Sequence, residues 1–299
     1  MFAYNKPDTT KKVFNQIAKV KPKQMYLIVD GPKNKIEKEL CDKTKKVLQD
    51  IKWDCNIERI YHKENQGLKK IFNSGLEFVF SNEERAIILE DDTLPSISFF
   101  RYCDLLLEKY VDNTQIAQIN GYNYLSKVNL DTSYYFSVYS ELWGWATWSD
   151  RWKKYNNRDF DNWDIYKKTD EFKNIFSSEE EFKYFYNIYD NAHKNKINSW
   201  EFPWTYSTRI NKLITISPKV NLVKNLGFGH SGATHTHQRH KYLSVTRNKK
   251  FEIDFPLKHP EEIIQDNYLI EREFNKRLLK NSKLSKFIYR VNKLKNYIN

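Results

Sequence analysis

Three adjacent acids, Glu90-Asp91-Asp92, follow the wholly apolar run Ile87-Ile88-Leu89. A buried strand that ends this way delivers three carboxylates to one point. Packing three anions together is unfavourable unless a cation or hydrogen-bond donors answer them. A hard divalent metal is the usual answer, and diphosphate oxygens complete its shell. The plainer alternative is a solvated acidic turn that caps the next helix, because Asp92 precedes Thr93-Leu94-Pro95. A further carboxylate, Glu201, sits in Ser199-Trp200-Glu201-Phe202-Pro203-Trp204. A carboxyl between aromatic rings can have a raised pKa and serve as a base. Its alternative is an exposed Glu in a turn before Pro203.

Two more segments carry chemistry-bearing residues. Glu141-Leu142-Trp143-Gly144-Trp145-Ala146-Thr147-Trp148 continues to Arg151-Trp152. Trp145, Trp148 and Trp152 have helical i, i+3, i+7 spacing, which reads first as core and second as an apolar platform for a sugar or base. His230, His235, His237 and His240 are four of the seven histidines, clustered after Asn225-Leu226-Gly227-Phe228-Gly229. No Cys joins them, and their spacing matches no common zinc signature. They read as part of a glycine-containing loop.

The elements that position these groups alternate. Met1-Phe2-Ala3-Tyr4 reads as the end of a strand cut short at its start. Asn5-Lys6-Pro7-Asp8 is a turn, with Asp8 or Thr9 capping a helix through Ile17. Strands are predicted at 25–29, 55–61, 86–89 and 116–120, and helices at 36–50, 67–80 and 95–111. Such alternation implies crossover units, a mostly parallel sheet and helices on both faces. Ligands of such sheets sit at the carboxyl ends of the strands, where Asp30 and Glu90-Asp91-Asp92 both fall. From about Tyr134 the pattern turns irregular and aromatic-rich, with seven of the eight Trp from Trp143 to Trp204.

Composition bounds the function. The chain has 299 residues, 40% of them hydrophobic and 29% charged, with a mean hydropathy of -0.78. No run reaches the roughly 18 apolar residues of a membrane-spanning helix, and no signal peptide is visible. Cys41, Cys55 and Cys103 are too widely spaced for a disulfide framework or a thiolate metal cage, so a reducing, cytoplasmic setting is expected. There are 8 glycines and no Gly-rich phosphate loop. The net charge is +12, of which +8 lies between Arg272 and Asn299, where nine Lys and Arg face Glu273 alone. The nearly balanced body argues against a nucleic-acid partner. In that tail Leu284, Phe287, Ile288, Val291, Leu294 and Ile298 follow helical spacing, with Lys283, Lys286, Arg290, Lys293 and Lys295 mostly on other faces. A basic amphipathic helix suits an anionic membrane surface; the alternative is a terminal helix docked on the body.

The order of these pieces is more specific than any one of them. Tyr4-Asn5-Lys6-Pro7, Ile28-Val29-Asp30-Gly31-Pro32, Asn65-Gln66-Gly67, Leu89-Glu90-Asp91-Asp92, Leu142-Trp143-Gly144-Trp145, Trp200-Glu201-Phe202-Pro203-Trp204 and Gly227-Phe228-Gly229 together resemble nucleotide-sugar glycosyltransferases of the GT-A fold. More narrowly, they look like the bacterial relatives of N-acetylglucosaminyltransferase I found among surface-polysaccharide enzymes. The resemblance covers roughly residues 2–237. It implies an α/β, Rossmann-like, mostly parallel sheet flanked by helices, a catalytic domain over 1–245 with a nucleotide-binding half (1–125) and an aromatic-rich acceptor half (126–245), and a basic helical tail over 246–299.

The resemblance also implies roles. Asp92 matches the last Asp of the family's acidic triplet, which binds Mn²⁺ (or Mg²⁺) on the donor diphosphate; His235, from its own place in the loop after Gly227-Phe228-Gly229 and not from the resemblance, is a second candidate contact to the metal or diphosphate. Asn5, Lys6, Asp30, Lys70, Glu90 and Asp91 are the candidate contacts to the nucleotide, favoured as UDP, with Asp30 holding the base. Glu201 matches the catalytic base. The chain departs from the family in carrying Glu rather than Asp there, and Phe202-Pro203 where the eukaryotic enzyme has one further Asp. The implied reaction is an inverting, single-displacement transfer from a nucleotide-sugar to a hydroxyl of a glycan or lipid-linked acceptor, at the inner face of the plasma membrane. Competing readings are a nucleotidyltransferase or sugar-nucleotide hydrolase, against which Asn5-Lys6-Pro7 counts, and a lectin-like or nucleic-acid-binding protein.

Overall fold

The computed structural model describes residues 1–156, 160–227 and 249–281. Three short parallel strands open the chain: β1 (Phe2–Ala3), β2 (Gln24–Val29) and β3 (Asn56–Tyr61), in the order β1-β2-β3 with Phe2 opposite Ile28 and Gln24 opposite Asn56. Helices α1 (Pro7–Val20) and α2 (Lys35–Val47) connect them. Pro7 starts α1 where its missing N–H costs nothing. The sequence expectation that Asp8 or Thr9 caps that helix is not met; Lys6 is the N-cap and has no side-chain capping bond. Helix α3 (Leu68–Asn82) leads to β4 (Arg85–Ile88), and Phe2 N–H donates to Leu89 O at 2.8 Å just beyond it, joining β1 to the end of β4 in parallel.

Beyond β4 the sheet is mixed, which corrects the mostly parallel expectation. The remaining strands are β5 (Thr93–Pro95), β6 (Ile116–Asn120), β7 (Tyr134–Ser137), β8 (Trp145–Trp148), β9 (Ile214–Pro218) and β10 (Val223–Asn225). They form a five-stranded sheet of order β4-β8-β6-β9-β7 and a separate antiparallel pair, β5 with β10. Only β6 and β9 pair in parallel within the five. The cause is β8, which slots antiparallel between β4 and β6. Its four residues are all buried, so no alternation marks it as a strand. The helical spacing of Trp145, Trp148 and Trp152 therefore misleads: the first two lie on β8 and the third on α5 (Ser149–Tyr155). The reading of these rings as core holds, each being at most 2% exposed.

Helix α4 (Ile97–Lys109) begins two residues later than predicted because β5 takes residues 93–95. The acidic turn does not cap it. Ile97 N–H and Ser98 N–H donate to the two carboxylate oxygens of Glu252 at 3.2 and 2.7 Å. A side chain 155 residues away thus accepts the exposed donors of the first turn. The second half adds α6 (Trp163–Tyr166), α7 (Asp170–Asn174), α8 (Glu179–His193) and α9 (Glu201–Ile210), whose aromatic residues form their own cluster around Trp163, Phe172 and Tyr206. Residues 249–266 cross the body with Ile253 and Leu257 in the main core, and α10 (Asn267–Asn281) follows. Among the described residues no helix is long and apolar enough to cross a membrane. The amphipathic run at 284–298 lies outside them.

One aromatic column ties the two halves together. Phe2 stacks on Phe72 at 4.0 Å, Phe72 on Trp200 at 4.3 Å, and Trp200 on Trp145 at 6.0 Å. Beyond it, Trp204 packs on Trp145 and Trp152 and donates its indole N–H to Gln118 Oε1 at 2.5 Å. Each such pair adds about 0.5–1.5 kcal/mol beyond area burial. The column runs from β1 through α3 to the residue before Glu201, and so fixes where α9 begins relative to the strand ends.

Candidate active site

The acidic triplet leaves β4 in a tight turn. Glu90 N–H donates to Thr93 Oγ1 at 2.8 Å, and that hydroxyl donates back to Glu90 O at 3.0 Å. The turn is held from three sides. Tyr4 N–H donates to Asp91 Oδ2 at 2.9 Å. Lys6 Nζ lies 2.7 Å from Asp92 Oδ2 and 3.6 Å from Asp91 Oδ1. Leu226 N–H donates to Asp92 O at 2.6 Å, an extension of the β5–β10 pairing. A Cβ at Gly227 would stand 2.5 Å from Asp92 Oδ2, so only glycine lets the chain pass this close to the carboxylate.

The electrostatics follow from burial and crowding. Burial pushes Glu90 well above the usual carboxylate range, and Asp92, Asp91 and Glu201 push it the same way. Glu201, in the first turn of α9, is near enough for its charge to act on Glu90. Asp91 is raised to about 6 by burial and by Asp92, against the pull of Lys6 and of Tyr4 N–H. Burial lowers the Lys6 ammonium, but Asp91 and Asp92 outweigh it and the net shift is upward. Three acids thus face one lysine, and the lysine's charge is locked on.

Asp30 ends β2 buried, and its carboxylate is occupied by the chain itself. Oδ1 accepts from Gly31 N–H and Gln66 N–H, both at 2.8 Å; Oδ2 accepts from Asn65 Nδ2 at 2.9 Å and Gly67 N–H at 3.2 Å. A carboxylate has about four lone-pair sites, and all four are used. Asp30 holds the loop that leads into α3, and Gly31 allows that loop in, since a Cβ there would sit 2.3 Å from Glu64 backbone. Asn5 reaches Glu37 Oε1 at 3.4 Å, and Tyr4 Oη donates to Glu37 Oε2 at 2.5 Å, tying the 4–6 turn to α2. Lys70 is exposed on α3 and lines a cavity of about 390 Å³ with Gln66, Gly67, Asn73 and Asn198.

The structure thus brings together Lys6, Glu90, Asp91 and Asp92, with Glu201 near enough for its charge to act on Glu90. It sets Asp30 and Lys70 on the neighbouring loop and helix. His235 lies outside the described residues. Among the described residues no set of three or more His, Cys, Asp or Glu is arranged to hold a metal ion. The contacts of Tyr4 N–H, Thr93 Oγ1 and Gly227 with the triplet were not identified from the sequence, because nothing in residue type announces them.

A second charged group lies in the aromatic half. Arg277 on α10 pairs with Glu141 and Glu273, and its guanidinium stacks 4.3 Å from the ring centre of Tyr124 and 4.7 Å from that of Tyr139. Glu273 and Arg277 show the i, i+4 helical spacing, whereas Glu141 is 136 residues distant. Burial pushes the Glu273 carboxyl up to about 8; Arg277 opposes this and Glu141 adds to it. A raised folded pKa stabilises the fold below the unfolded value of 4.5 and loses that contribution as pH rises through about 8. The melting temperature is therefore expected to fall between about pH 4.5 and 8, and Glu273→Gln to flatten that fall in a pH series of thermal melts. An unchanged slope in the variant counts against the assignment.

No protein-family model matches this chain, and no curated protein matches it.

Proposed function

We propose that the chain is a nucleotide-sugar-dependent glycosyltransferase of the GT-A type, transferring a sugar with inversion to a hydroxyl of a glycan or lipid-linked acceptor at the cytoplasmic face of the membrane. The observation that carries this reading is the gathering of Lys6, Glu90, Asp91 and Asp92 at the carboxyl ends of β1 and β4, with Glu201 near enough for its charge to act on Glu90. An α/β sheet offers its ligand crevice at that edge. The cluster's excess of negative charge and its hard oxygen donors fit a divalent cation. Lys6 Nζ already stands as a cation beside Asp92, and Gly227 keeps that carboxylate unobstructed by a side chain.

Asp92 would hold the cation, Mn²⁺ or Mg²⁺, which when bound neutralises the charge on the leaving diphosphate. The chain's own residues do the rest. Asp30 shapes the nucleotide pocket by holding residues 65–67 in place, so its part in recognising the base is through the loop. Lys6 carries the positive charge that a diphosphate draws on, and Lys70 stands at the rim of the adjoining cavity. Glu201 takes the proton of the acceptor hydroxyl. Trp200, Trp145 and Trp204, all buried, form a stiff apolar base behind Glu201.

A thermal-shift screen of UDP, GDP, CMP and their sugars, with and without Mn²⁺, tests this reading. At 100 times Kd, a ligand stabilises the fold by about 2.7 kcal/mol, a shift of several degrees. The largest shift is expected for a UDP-sugar with Mn²⁺ together. No shift with any nucleotide under either condition rejects the reading.

A further inference from the structure

A groove of about 620 Å³ runs between α1 and α2, away from the carboxylate cluster. Phe14, Val47 and Trp53 form an apolar floor. The Trp53 indole N–H is used internally, donating to Pro22 O at 2.9 Å, and its half-exposed ring packs 5.9 Å from Phe14. Five lysines and Asp50 make the charged rim. Lys43 is answered by Glu39 at 2.7 Å and Lys52 by Asp50 at 3.4 Å. Exposed pairs of this kind hold little energy and open easily. Lys11, Lys21 and Lys46 are exposed and pair with no carboxylate among the described residues. The groove therefore presents uncompensated positive charge above an apolar, aromatic floor.

We propose that this groove docks the protein on an anionic phospholipid bilayer, with a headgroup phosphate among Lys11, Lys21 and Lys46 and the Trp53 ring at the headgroup level. Three properties favour a lipid surface. The cationic groups are all lysines, point charges that suit phosphate in any orientation, and none is an arginine fork aimed at a fixed partner. The floor is apolar, which a headgroup with its first methylenes matches and a free phosphate does not. A half-buried Trp with its N–H satisfied is an amphipathic ring of the type that settles at membrane interfaces. The inference does not depend on the glycosyltransferase reading, and its test involves no sugar transfer.

The test is co-sedimentation of the full chain with phosphatidylcholine vesicles, with and without phosphatidylglycerol. Binding is expected only where phosphatidylglycerol is present. Replacing Lys11, Lys21 and Lys46 together by Ala is expected to weaken that partition about 100-fold, each lysine near an anionic surface counting for close to a factor of five. The melting temperature is expected to hold, because the three side chains are exposed. A parallel variant with Lys283, Lys286 and Lys293 replaced by Ala separates the basic tail from the groove and is expected to keep the groove's share. Blue-shifted emission on phosphatidylglycerol vesicles, lost in Trp53→Phe, supports the seating of the ring independently of the lysines. Partition unchanged in the triple-lysine variant, or lost entirely in the tail variant, overturns the proposal. So does displacement by millimolar inorganic phosphate, which identifies a small-anion site, and so does groove-dependent binding of DNA in place of vesicles.

Discussion

Asp92→Ala is expected to abolish Mn²⁺-dependent binding of UDP while leaving the protein folded. The two halves of this expectation come from different contacts. Asp92 is the least buried carboxylate of the triplet that also touches Lys6, and its oxygen faces the glycine at 227, where a larger residue would intrude. A cation held by one protein carboxylate and the nucleotide's own phosphates loses its only fixed anchor when that carboxylate is removed. Loss of merely supporting groups around metal ligands costs 10–100-fold in affinity, so removal of the ligand itself is expected to cost at least about 100-fold. Stability behaves otherwise. Asp92 is one of the charges that push Glu90 and Asp91 upward, so its removal relieves repulsion. Lys6 keeps Asp91 as a partner at 3.6 Å. Calorimetric titration of UDP with Mn²⁺ present, beside a thermal melt, reads both effects. Unchanged nucleotide affinity in a folded variant removes Asp92 from the role; Asp92→Asn, nearly isosteric, separates loss of charge from loss of shape.

What could be read from the sequence was local. The strand endings at Asp30 and at Glu90-Asp91-Asp92, the helices α1 to α4 and the burial of the Trp-rich segment all follow from short-range periodicity and breakers. The mixed sheet did not, because β8 is buried on both faces and so carries no period of two. Long-range donors were equally hidden. Nothing near Ile97 indicates that Glu252 accepts from its N–H, and nothing near Glu141 indicates Arg277. Asp30 illustrates the subtler case. Its place at a strand end pointed to a ligand contact, whereas the geometry spends its oxygens on residues 31 and 65–67. Residue type and position reveal that a carboxylate will be poised at an edge; they do not reveal which donors arrive first. The histidine cluster, including His235, lies outside the described residues.

Glu201→Gln is expected to lower transfer by roughly 10²–10⁴-fold, the usual contribution of a positioned general base. The substitution keeps the shape and removes the charge that accepts the acceptor's proton. Donor affinity is expected to change little, because Lys6 and Asp92 remain on the other side of the cluster. The fold offers a reason for the side chain to be well placed. Trp200, the residue before it, is clamped between Phe72 and Trp145, so the first turn of α9 cannot drift. The rival base is Glu141, from the neighbouring aromatic segment. Its carboxylate is bound to Arg277, which is itself held by Glu273 and stacked on Tyr124 and Tyr139. An acid engaged in that way is a structural counter-ion, and taking up a proton would break the pair. Glu201→Gln should also ease Glu90, whose upward shift owes part of its size to Glu201's charge. If Glu201→Gln keeps most of its kcat while Glu141→Gln loses it, the proton goes to Glu141, and the aromatic column serves only to hold the two halves of the chain together.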